Sequence, residues 1–283
     1  MSSSENWDLE IRPKRNLFDV RLSELWGHRF LIGLFVRRDF VAQYKQTILG
    51  PVWHILQPIF TTAIFLLVFA RIARVPTENV PPVLFYITGI TLWNYFSLTV
   101  LNNSQTFVQN ANIFGKVYFP RLVMPISVTI SNLIKLGIQF LLVLLTMLWY
   151  HMHGFAIQPN IKWLLLPFLV VLMAGIGLGV GIIVSSVTTK YRDVSILLTF
   201  GIQLGMYATP IAYPFSFLKE RSYGWVISWN PLTPLVEAFR HALFNQPIAE
   251  ASGLIYSILF MVVALSVGLV LFNRIEGSFM DTV

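Results

Sequence analysis

Trp53, Gln57 and Thr61 stand at i, i+4 and i+8, and Ser195, Thr199, Gln203 and Tyr207 repeat every four residues. On a helix, each row falls along one side. Both rows therefore offer neutral amides, hydroxyls and aromatic faces within apolar sequence. Such a surface suits a sugar chain, whose hydroxyls take hydrogen bonds and whose C–H faces stack on rings. It suits equally well the bonding of one membrane helix to another. A third polar face holds Ser127, Ser131, Asn132, Lys135 and Gln139. Its lysine either faces protein or water, or extends its stem toward the headgroups.

Groups for bond-breaking chemistry are missing from the apolar stretches, which contain no Asp or Glu. Ion-driven carriers rely on intramembrane carboxylates, and membrane hydrolases on acidic or histidine clusters. His151 and His153 form an isolated HxH that lacks further ligands, so no metal site and no catalytic residue is assigned. Cysteine is absent, which removes thiol nucleophiles and disulfides. Gly115-Lys116 is followed by Val117 and is not a phosphate loop. No cofactor is expected on this chain, and energy for active transport must come from a partner.

The elements that carry these residues follow from composition. Of 283 residues, 55% are hydrophobic, 14% aromatic and only 12% charged. Mean hydropathy is +0.67. A soluble domain of this size needs about twice that charge to cover its surface, so the chain reads as an all-α polytopic membrane protein. Six stretches reach the roughly 20 apolar residues that a span requires: 52–70, 82–101, 122–150, 163–187, 194–215 and 254–272. In the fourth, Gly175, Gly177, Gly179 and Gly181 form two overlapping GxxxG pairs suited to close helix packing. No cleavable signal peptide is expected in the charged first 50 residues.

Lys and Arg set the orientation. Thirteen fall on the side that holds both termini, six on the other, and Lys135 lies within a span. Both termini are expected in the cytoplasm, and the net charge of +7 becomes largely a matter of topology rather than a nucleic-acid footprint. The expected organisation is a cytoplasmic segment over 1–51, a six-span domain over 52–273 and a tail over 274–283. Residues 16–46 carry an amphipathic interfacial helix. A short amphipathic helix is expected near 104–118. The long segment 217–251 holds Trp225 and Trp229, and its Leu235, Phe239 and Leu243 suggest a short helix at the outer interface.

The run from Val36 through Arg37-Arg38-Asp39-Phe40 and Tyr44-Lys45 to Gly50-Pro51-Val52-Trp53, then Gln57-Pro58, resembles the approach to the first span of type-2 ABC exporter permeases for polysaccharides. So do Asn110 to Arg121 before Pro125, Tyr191-Arg192-Asp193-Val194, Thr209-Pro210-Ile211 and Asn230-Pro231. The resemblance covers about residues 17 to 275. It is strongest to the Wzm type, which exports O-antigen, with capsule and teichoic-acid export permeases as near relatives.

The resemblance implies a bacterial inner-membrane homodimer that binds two copies of a separate ABC ATPase, which would hold ATP and Mg. The substrate would be an undecaprenyl-type lipid-linked polysaccharide. Spans one and five would line its path, with Trp53, Gln57, Thr61, Ser195, Thr199, Gln203 and Tyr207 as channel candidates. Tyr86, Trp93, Tyr95 and Phe96 are weaker ones. Arg37, Arg38, Tyr44 and Lys45 would meet the lipid headgroup, since clustered cations suit a pyrophosphate; anchoring to the cytoplasmic leaflet is the other reading of the cations. The coupling helix would present Asn112, Phe114, Lys116, Tyr118 and Arg121 to the ATPase. Re-entrant helices over 217–251, with Trp225 and Trp229, would gate the exit. Two other readings are a type-2 exporter of drugs or lipids and a membrane enzyme of cell-envelope synthesis.

Overall fold

The computed structural model describes residues 22–114, 119–155, 157, 160–219, 224–246 and 252–279. Among them every regular element is helical. Five helices are long and apolar enough to cross a bilayer: 50–72, 82–104, 123–152, 161–188 and 253–274. The fifth expected span is shorter than anticipated. Its helix covers Val194–Tyr207, 14 residues, about 21 Å against a hydrocarbon core of about 30 Å. Pro210 explains the early end, because it brings no N–H to donate back and restrains Thr209.

The expected interfacial helix is broken into α1 (Leu22–Gly27) and α2 (Arg29–Tyr44), and 16–21 lie outside the described residues. The first span enters through a 3₁₀ turn at Gly50–Val52 into α3 (Trp53–Phe65). Pro58 lies inside α3 and removes one backbone bond. The helix then widens into a π turn at Leu66–Ile72.

The centre of the bundle is α4 (Pro82–Ser104). Tyr86, Tyr95, Phe96 and most of its other side chains are buried, so these aromatics are core rather than channel lining. Around α4 pack α3, α7 (Val123–Met152), α8 (Leu165–Thr188) and α9 (Val194–Tyr207). The α8 glycines divide their work between two neighbours. A Cβ on Gly179 would lie 2.9 Å from the backbone of Ala264 and Leu265 on the last span, α13 (Gly253–Phe279). One on Gly177 would lie 3.0 Å from Thr99 of α4. Only glycine lets α8 approach both helices this closely.

The expected coupling helix is two short turns, α5 (Thr106–Gln109) and α6 (Ala111–Phe114). Lys116 and Tyr118 lie outside the described residues. Between α9 and α13 come α10 (Phe215–Lys219), α11 (Gly224–Ser228) and α12 (Thr233–Phe244). The expected short helix is α12, and its Leu235, Phe239 and Leu243 share a face buried in the main core.

Candidate functional site

The two polar rows sit on helices with much of their surface unpacked. Trp53, Gln57, Thr199, Gln203 and Tyr207 are exposed, with Thr61 and Ser195 half-buried. Their hydroxyls bond back into their own helices: Thr61 Oγ1 donates to the Gln57 carbonyl at 2.9 Å and Thr199 Oγ1 to the Ser195 carbonyl at 2.9 Å. Neither row bonds to a neighbouring span among the described residues, so helix bonding within one chain does not explain them. α3 reaches α4 together with α7, whereas α9 reaches α4 together with α8. One chain therefore does not bring the two rows together.

A groove of about 480 Å³ runs between α4 and α9. Thr199, Gln203 and Tyr207 line it from α9, facing Trp93, Asn94 and Ser97 of α4. Two amides, two hydroxyls and two amphipathic rings give it donors and acceptors beside stacking surfaces. Asn94 and Ser97 escaped the sequence reading because they follow no repeat; α4 is polar at several levels, and only packing shows which level opens.

The headgroup candidates behave differently from one another. Arg37 and Lys45 are exposed. Arg38 is tied down: it donates to Asp39 Oδ1 at 2.7 Å, reaches Asn110 Oδ1 at 3.4 Å and lies over the Phe35 ring at 4.7 Å. Tyr44 is half-buried against Phe40 and His54, and burial raises its hydroxyl above the usual phenol value.

The coupling candidates separate as well. Asn112 faces solvent. Phe114 is only 6% exposed, in a ring cluster that links it to Phe107 at 5.9 Å and Phe119 at 5.8 Å. Phe119 in turn meets Phe35 of α2 at 5.7 Å, and Phe107 meets Phe272 of α13 at 4.6 Å. Arg121 is buried with its guanidinium over Phe114. Phe114 and Arg121 therefore do not project as pegs toward a partner. They knit α6 to α2, α7 and α13, because a ring in this position buries more area inward than outward.

On the opposite end, Trp225 of α11 and Trp229 just after it are exposed at 66% and 75%. Behind them lies a polar scaffold that the sequence reading missed. Asn230 Nδ2 donates to the Ala208 carbonyl at 3.0 Å and to Thr209 Oγ1 at 2.8 Å, covering the open end of α9. Irregular backbone near membrane depth needs such cover. Arg240 is 1% exposed, donates to the Ile211 carbonyl at 3.1 Å, stands 3.7 Å from Glu237 Oε1 and lies 3.6 Å above the Phe85 ring. Burial pushes the Arg240 guanidinium down to about 10, and pushes the Glu237 carboxyl up. His153, half of the HxH, has Nδ1 2.7 Å from the Trp149 carbonyl and stacks on that indole, a local helix-end arrangement.

A sequence profile of ABC-2 type transporters matches residues 31–244, from α2 through α12. The chain belongs to the ABC-2 type transporter family. It is 28% identical over 258 residues to a protein named O-antigen export system permease protein RfbA from Klebsiella pneumoniae, covering 90% of this chain and 96% of that one. It is 25% identical over 232 residues to a protein of the same name from Myxococcus xanthus, covering 82% and 86%. To the polysialic acid transport protein KpsM of Escherichia coli it is 24% identical over 251 residues, covering 87% and 93%. The groove, the basic face of α2, the α5–α6 turns and the buried scaffold of this ABC-2 transporter chain all fall inside the matched region.

Proposed function

We propose that the chain is the permease subunit of an ABC exporter for a lipid-linked polysaccharide, most like O-antigen. The observation that carries this reading is the groove of neutral amides, hydroxyls and rings along α9 and α4, joined to near end-to-end similarity to relatives named as O-antigen export permeases. A drug pocket would be enclosed and apolar, whereas this groove is open and sets Asn94, Ser97, Thr199 and Gln203 among its apolar side chains.

In this reading two copies form the path, which accounts for α3 and α9 keeping their polar rows free within one copy. The polymer contacts Gln57, Thr61, Thr199, Gln203 and Tyr207. The lipid headgroup meets Arg37, Lys45 and Tyr44 at the cytoplasmic leaflet. A separate ABC ATPase, two copies per exporter, holds the nucleotide and Mg; it docks on α5 and α6, with Asn112 in the contact, while Phe114 and Arg121 pass its movement to α2 and α13. Trp225 and Trp229 flank the exit. Both termini lie in the cytoplasm and the complex sits in the bacterial inner membrane. The test is reconstitution of the chain with its ATPase in vesicles bearing a lipid-linked polysaccharide. ATP-dependent transfer of polymer across the bilayer supports the proposal, and ATP hydrolysis that moves no polymer overturns it.

A further inference from the structure

A second cavity, of about 520 Å³, lies beneath α2, between it, the cytoplasmic half of α4, the α5–α6 turns and α7. Arg38, Asp39, Asn102, Asn110, Asn132 and Lys135 supply its polar wall. The charges there do not cancel. Arg38 and Asp39 are paired at 2.7 Å, so the carboxylate that also acts on Lys135 is shared between two cations, and the three groups sum to one net positive charge. That side chain is 8% exposed, and its one polar contact among the described residues is the neutral Asn132 Oδ1 at 3.1 Å. A buried cation whose nearby carboxylate is already paired with another cation is costly, and the companions of such cations in proteins are anions.

Asn132 adds an independent sign. It is 1% exposed. Its Oδ1 is used twice, accepting from Lys135 and from Asn102 Nδ2 at 3.2 Å, while its Nδ2 donates to nothing among the described residues. Buried amide donors are almost always satisfied. The cavity thus presents one net positive charge, with the Lys135 ammonium and an orphan N–H₂ donor in one wall and the Arg38 guanidinium at its rim. That donor set matches the several acceptor oxygens of a phosphate. Neutral sugar hydroxyls would leave the charge unanswered.

We propose that this cavity binds the phosphate-bearing headgroup of a lipid from the cytoplasmic leaflet, with Lys135 as the buried counter-charge and Asn132 as donor. Its place explains how a headgroup would report to the ATPase side: Arg38 and Asn110 join α2 to the α5–α6 turns across the cavity mouth. Two lipids carry this chemistry, the diphosphate carrier of the exported polymer and a resident anionic phospholipid. The first assignment rests on the export reading; binding itself does not.

The test uses the full chain in nanodiscs of phosphatidylcholine, doped with either a polyprenyl diphosphate or phosphatidylglycerol, with bound lipid counted by native mass spectrometry. No ATPase, ATP or transport is involved, so failure here is separable from failure of the export reading. Selective retention of the diphosphate lipid assigns the cavity to the carrier; equal retention of both assigns it to phospholipid. In either case Lys135→Met is expected to weaken retention at least tenfold and Lys135→Arg to preserve most of it. Asn132→Asp, which supplies Lys135 with its own counter-ion, is expected to weaken it similarly and serves where Lys135→Met does not fold. Wild-type protein that retains neither lipid above phosphatidylcholine, or folded Lys135→Met or Asn132→Asp protein with wild-type retention, overturns the proposal.

Discussion

Arg240 provides the sharpest stability test, because its guanidinium is buried with few partners. Replacing it by Met keeps the volume of the stem but removes the charge beside Glu237, the bond to the Ile211 carbonyl and the contact with Phe85. Stranding one member of a buried ion pair costs about 3–5 kcal/mol. At roughly 2–4 °C per kcal/mol for a chain of this size, the unfolding midpoint should fall by about 6–20 °C. The assay is thermal unfolding of the purified chain in detergent, followed by loss of the monodisperse peak. Substituting Glu237→Leu together with Arg240→Met should recover most of the loss, since a buried pair replaced by apolar groups is near neutral. The pH dependence has a fixed sign. Burial holds the Glu237 carboxyl above its ordinary value, so the folded state keeps that proton better than the unfolded one. The stability this contributes is present below the unfolded value and is lost as pH rises through the folded value. Arg240 works against that rise, so in Arg240→Met the folded value climbs further and the deficit should be smaller at about pH 5 than at about pH 8. A loss under about 1 kcal/mol, or a double variant as unstable as the single one, would refute the reasoning.

The other predictions concern packing and transport. Gly179→Leu should cost about 1–3 kcal/mol or more, because the new side chain meets the α13 backbone rather than a movable group; a parallel thermal series with the open Gly137→Leu is the control. Phe114→Ala should cost about 3–5 kcal/mol through the cavity it leaves, and in the reconstituted exporter it should leave ATP hydrolysis running with less polymer moved per ATP; unchanged coupling would remove the ring cluster from the relay. Arg38→Glu should cut export several-fold while the complex still assembles, measured by polymer transfer against ATPase co-purification.

The sequence made the faces of helices legible but not their neighbours. Four-residue spacing placed Gln57 with Thr61 and Gln203 with Tyr207, since such rows depend only on helix period. It could not tell whether a row meets another helix or open space, and only packing shows that α9 opens onto Asn94 and Ser97. Glycine spacing in α8 announced close contact but not that two different helices share it. The Thr209-Pro210 and Asn230-Pro231 motifs were visible separately. Their hydrogen bond, which closes the short α9, joins residues 21 positions apart and leaves no periodic trace. Phe114 was read outward because amphipathic loops usually dock outward. Its inward turn depends on Phe35, Phe119 and Phe272, distant in sequence and brought together by the fold. Lys135 is visible as a charge in a span, but that it shares the Asp39 carboxylate with Arg38 is evident only from its surroundings.

In the proposed exporter the polar rows of α3 and α9 contact the polymer. The chain has no cysteine, so single cysteines can be introduced without a background. A photoactivated cross-linker placed by Gln57→Cys, Gln203→Cys or, as an apolar exposed control, Leu197→Cys can be activated while the reconstituted exporter hydrolyses ATP on radiolabelled polysaccharide. Polymer adducts are expected at positions 57 and 203 and none above background at 197. Adducts confined to position 197, or equal at all three, would contradict that contact.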